Sequence, residues 1–77
     1  MKLVIMDCAT KELLVLNVDE YDPAGKLVVA GEEQTYVRTR WIKHKRVPGG
    51  RFLVREFTDM GGNAFYVLGE KSAVRVM

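Results

Sequence analysis

The chain has 77 residues, 48% hydrophobic and 29% charged, with only two prolines, which places it among ordered chains with room for one small domain over 1–77. A domain of this size buries only about 60% of the surface its unfolded chain exposes, so self-association as a homodimer is the default expectation. The lone Cys8 excludes an intramolecular disulfide framework and points to a reducing, cytoplasmic setting. The first apolar run, Leu3 to Met6, is cut off by Asp7 and is too short for a signal sequence or a membrane span, so no membrane association is expected.

In chain order, the first predicted strand is 2–7 and the second is 12–18. In the second, Leu13, Leu14, Val15 and Leu16 are continuous rather than alternating, the pattern of a strand covered on both faces or paired across a subunit boundary. Residues 19–25 read as a loop. Its Asp22-Pro23-Ala24-Gly25 sequence sets Asp at the first, Pro at the second and Gly at the fourth position of a type I turn. The carboxylates of Asp19, Glu20 and Asp22 lack the spacing of a calcium loop and read as a solvated turn.

A third strand is predicted over 26–30, and Gly31 breaks it. The segment 32–46 admits two readings. A helix would have Glu32 and Glu33 in its first turn and Lys43, Lys45 and Arg46 in its last, which suits the macrodipole, but its apolar stripe is thin. A strand is preferred on the β-branched and aromatic content from Tyr36 onward, with Val37, Thr39 and Trp41 on one face and Tyr36, Arg38, Arg40, Ile42 and His44 on the other. Val47-Pro48-Gly49-Gly50 would then turn the chain back onto a strand at 51–58, producing a long basic hairpin. Two further strands are expected at 64–68 and 73–77. The fold class is therefore mostly β, a small barrel or half-barrel of about six to seven short antiparallel strands, with α+β as the alternative if 32–46 is helical.

Net charge is only +2, but between Arg38 and Arg55 there are seven basic residues and no acid, while the rest of the chain sums to −5. Arg38, Arg40, Lys43, Lys45, Arg46, Arg51 and Arg55 are the candidate phosphate contacts, and Tyr36 and Trp41 the candidate stacking residues. RNA or DNA is the partner that this pattern suits best, since each neutralised phosphate releases a counterion. Those charges also suit a merely solvated hairpin, and Trp41 a core position.

Catalytic chemistry has little to work with. The only histidine, His44, sits among Lys43, Lys45 and Arg46 and reads as a surface residue, and Cys8 reads as a half-buried thiol outside any catalytic setting. With one histidine and one cysteine, a tetrahedral zinc site within one chain cannot be built from Cys and His alone, Gly49-Gly50 and Gly61-Gly62 fit no phosphate-loop pattern, and no cofactor is expected. The expected function is a non-enzymatic binding module acting on nucleic acid through the basic hairpin. The alternative is a protein-interaction, regulatory or inhibitor module using the apolar strand or a sheet edge.

Overall fold

The computed structural model describes all of residues 1–77 and is built from β-strands alone. The strands are β1 (Lys2–Asp7), β2 (Leu13–Asn17), β3 (Glu20–Asp22), β4 (Lys26–Val29), β5 (Glu32–Glu33), β6 (Thr35–Ile42), β7 (Phe52–Thr58) and β8 (Ala64–Glu70). They form two antiparallel sheets, one of five strands in the order β2-β1-β8-β7-β6 and one of three in the order β3-β4-β5. No helix is long and apolar enough to cross a membrane.

Alternation along the strands gives the five-stranded sheet an inner and an outer face. Leu3, Ile5, Phe57, Phe65 and Val67 point to the inner face, where Val18, Leu27, Tyr21 and Val29 close over them from the segment carrying the smaller sheet. Phe57 and Leu27 have no exposed surface, and the Phe57 ring packs edge-on against Tyr21 and Tyr36 and stacked against Phe65. The outer face carries a second cluster of Met6, Val54 and Tyr66, bordered by Cys8, Leu13, Ile42, Phe52 and Leu68.

The Asp22 turn forms as its sequence dictates: Gly25 N–H donates to the Asp22 carbonyl at 2.9 Å, and Ala24 N–H to the Asp22 carboxylate at 2.9 Å. Gly25 has φ +132°, and a Cβ there would lie 3.4 Å from the Tyr36 ring, so glycine lets this turn close against the hairpin. The residues on either side of the turn form β3 and β4, so 20–22 are strand rather than loop. Their pairing is supplied by β4 across the turn, with Glu20 and Lys26 held together at 3.1 Å.

The remaining departures concern closure and the middle segment. The helix alternative for 32–46 is not taken, and β-branched and aromatic side chains place Thr35–Ile42 in a strand. The sheets do not close into a barrel, and β2 and β6 remain free edges. The strand expected at 73–77 is absent. A turn at Glu70, with Ala73 and Val74 N–H donating to its carbonyl, diverts the tail, and Met77 N–H bonds the Arg46 carbonyl at 2.7 Å, so no strand bridges β2 to β6. Nor is β2 covered on both faces within the chain, since Leu14 and Val15 are about half exposed.

Truncating Phe57→Ala removes the ring shared by both sheets and is expected to cost about 3–5 kcal/mol in urea unfolding, whereas Trp41→Ala should cost under about 1 kcal/mol. Equal losses would contradict this packing. At the β7–β8 turn, Asn63 donates its backbone and side-chain N–H groups to the Asp59 carboxylate, holding that carboxyl below its ordinary range. A lowered carboxyl stabilises the fold above the usual carboxylate range and loses that contribution as pH falls through its own value. Asp59→Asn should therefore reduce the loss of stability between neutral and acid pH, as read from urea midpoints.

Candidate nucleic-acid interface

The basic run folds into β6, β7 and the loop between them, residues 43–51, and these elements divide it among three environments. The division starts with a bulge. Register between β6 and β7 shifts between Tyr36 and Arg38, so Val37 is the extra residue and Tyr36 moves to the face of Thr39 and Trp41. Simple alternation put Tyr36 with Arg38 and Arg40. Instead, its hydroxyl lies 2.6 Å from Thr39 Oγ1 and its ring packs on Phe57, so Tyr36 is a half-covered extension of the core.

On the outer face stand Arg38 and Arg40. Arg38 pairs with Glu56 directly across the ladder, with Nε 3.5 Å from the carboxylate. Arg40 lies over the Tyr66 ring and donates to its hydroxyl at 3.3 Å, so its charge has no acidic partner there. Cys8 packs beside the cluster that holds Tyr66, and burial pushes both the Tyr66 hydroxyl and the Cys8 thiol above their ordinary pKa values. A raised thiol is a poor nucleophile at neutral pH.

On the inner side of the hairpin lie Arg55, Thr39, Leu53 and Trp41. The Arg55 Nε is buried with no hydrogen-bond partner, and the residue as a whole is half-buried. Trp41, by contrast, is 58% exposed although it points to the same side as the core. The covering sheet explains the difference. Its strands are short, it reaches the hairpin at Tyr36 through the Gly25 turn, and Trp41 stands roughly 15 Å farther along at ~3.3 Å per residue. Arg51 then lies over the indole at 5.9 Å, a cation–π contact at the loop end of the hairpin.

The third environment is the 43–51 loop. The hairpin was expected to stay in strand to about residue 46, but β6 ends at Ile42. His44 accounts for the departure: its Nε2 lies 3.0 Å from the Lys11 carbonyl, and its Nδ1 accepts the Arg46 N–H at 3.1 Å. Those two bonds define a neutral ring protonated at Nε2 and tie the loop to the β1–β2 turn. Arg46 Nε donates to the Met77 carbonyl, while Lys43 and Lys45 remain exposed. With Lys11 and Arg40 they rim an open cleft of about 460 Å³ floored by Met6, Ile42 and Tyr66, with no acid in its lining.

The fold thus places Trp41 and Arg51 on the inner side at the loop end of the hairpin, and Lys43, Lys45, Arg40 and Lys11 around the cleft on its outer side. Arg38, Arg46 and Tyr36 are engaged in internal contacts, whereas Arg55 is half-buried with its Nε unpartnered. Lys11 and the tethering by His44 were not apparent from the chain, because the two residues are 33 positions apart and no periodicity links them. No group of three or more His, Cys, Asp or Glu side chains is placed to hold a metal ion.

If His44 is the tether, His44→Ala should speed amide exchange at Arg46 and in residues 8–12. One or two lost hydrogen bonds should lower global stability by only about 1–2 kcal/mol. Unchanged exchange at Arg46 would show that the loop is held otherwise. The chain matches no protein-family model, no curated protein and no solved structure.

Proposed function

We propose that this protein is a non-enzymatic module that binds single-stranded nucleic acid at the loop end of the β6–β7 hairpin. The observation that carries the reading is Trp41, more than half exposed and paired with the Arg51 guanidinium, within a stretch that holds no acid from Gln34 to Arg55. An exposed indole offers a stacking surface to any base, and Arg51 beside it can contact the adjoining phosphate. Lys43 and Lys45 carry the positive surface around the loop to the outer side, where Arg40, without a carboxylate partner, continues it.

Single strands suit this arrangement better than a duplex because the ring stands at the end of a sheet face, where an unstacked base can reach it. Recognition by stacking and backbone charge tolerates many sequences, so binding of RNA and DNA alike is the expected behaviour. The lone thiol fits a reducing, cytoplasmic setting. The free edge at β2 supports a second reading, a protein-interaction or regulatory module, in which that strand receives a partner.

Trp41 is the only tryptophan, so its fluorescence reports directly on the proposed contact. Titration with labelled single-stranded and duplex oligonucleotides should show tighter single-strand binding accompanied by a change in Trp41 emission. If Lys43, Lys45 and Arg51 each neutralise one phosphate, the slope of log affinity against log salt should be about −2. Trp41→Ala should weaken single-strand binding by about 1–3 kcal/mol, whereas Lys43→Ala and Lys45→Ala should weaken all sequences alike and flatten the salt slope. Absence of binding at low salt, or binding indifferent to salt, would overturn the reading.

A further inference from the structure

The two free edges of the five-stranded sheet differ in a way that bears on what each can receive. At the β6 edge, Val37 bulges the strand and Arg38 and Arg40 project beside it, devices that discourage another strand from adding on. The β2 edge has none. Its sequence is Leu13-Leu14-Val15-Leu16-Asn17, with no charge, proline or bulge, and Leu14 and Val15 are 49% and 52% exposed.

Backbone direction along β2 follows from its ends. Asp7 N–H donates to the Glu12 carbonyl at 3.0 Å and Val18 N–H to the Met1 carbonyl at 2.8 Å, so residues 12, 14, 16 and 18 turn their backbone groups toward β1. Leu13, Val15 and Asn17 must then direct their N–H and C=O groups outward, and no turn, loop or neighbouring strand supplies partners for them.

We infer that this edge pairs with β2 of a second copy of the chain, antiparallel about a twofold axis at Val15. In that register Val15 lies opposite Val15 of the other copy, and Leu13 opposite Asn17, so every outward backbone group of the strand finds a partner. Leu14 meets Leu16 on the inner side, where the groove beside β2 is lined by Ile5, Leu14, Leu16 and Val29. On the outer side Leu13 and Val15 continue an apolar groove formed with Val4, Val74 and Val76. β2 itself carries no charge to be opposed in this pairing, while Asp7, Glu32 and Asp59 line the inner groove and Arg46 and Lys71 the outer one.

A second copy fits the strand better than the chain's own other edge. Pairing β2 with β6 of a neighbour would set Arg38 and Arg40 against Leu13 and Val15, and head-to-tail addition of that kind grows without closing. The twofold arrangement closes at two subunits and joins the sheets into one of ten strands. The proposed binding hairpins then lie at its two ends, outside the interface, so pairing does not depend on nucleic acid.

The test is the mass of the full chain, free of nucleic acid, from low micromolar to near-millimolar concentration. The expected result is a rise from 8.7 kDa to twice that mass. Val15→Pro removes an N–H that points outward and spares every bond to β1, so it should give a folded monomer, as should Val15→Lys. Hydrogen exchange on the unmodified protein provides a measure independent of how the variants fold. Amides of Leu13, Val15 and Asn17 should gain protection as concentration rises, while those of Leu14 and Leu16 stay protected throughout. A monomeric mass across the range would overturn the proposal. So would a dimer in which those three amides exchange freely, or one whose mass survives both substitutions.

Discussion

Phe57 lies at the centre of the contact between the sheets, with Leu27 above it and Leu3, Val67 and Phe65 around it on the larger sheet. Burying side chains of this size is worth about 1.5–3 kcal/mol each, so one such contact is a substantial part of the stability available to a small domain. The covering layer is assembled from three strands of two to four residues, and its limited reach determines what else the molecule exposes. Tyr36 lies at its margin, half-covered against Phe57, whereas Trp41, on the same side of the same strand, lies beyond it and stays in solvent.

The charged side chains are sorted by that same geometry. A bulge at Val37 exchanges the faces of β6, sending Arg38 and Arg40 to the outer side, where Glu56 and Tyr66 receive them. Arg55, opposite Thr39 on the inner side, is half-buried. The seven cations of the acid-free stretch are therefore divided between the two sides of the hairpin, with Arg51 beside the indole on one and Arg40, Lys43 and Lys45 at the cleft on the other. Only Arg38 has its charge offset by a carboxylate, whereas a guanidinium over an aromatic ring keeps its charge.

His44 joins the two ends of this arrangement. By accepting from Arg46 and donating to the Lys11 carbonyl, one neutral imidazole ends the strand, shapes the loop and brings Lys11 beside Lys43 and Lys45. The outer face below it is closed by Met6, Val54 and Tyr66, so the loop rests on an apolar floor.

Local chemistry determined much of this in the sequence alone. Alternating and β-branched runs specified strands near 2–7, 12–18, 26–30, 51–58 and 64–68, and Asp22-Pro23-Ala24-Gly25 specified its turn, because those signals act over a few bonds. The acid-free basic stretch was equally plain. Tertiary structure decided the rest. Whether the sheet closed depended on the path of residues 73–77, which a turn at Glu70 and a bond to Arg46 divert from any strand. The face of Tyr36 depended on a single inserted residue, which shifts a period-two pattern by one and leaves no mark in composition. The exposure of Trp41 depended on how far a separate sheet extends over it, and the place of Lys11 on a hydrogen bond spanning 33 residues. Contacts of that range are set by packing between elements, to which no local pattern in the chain corresponds.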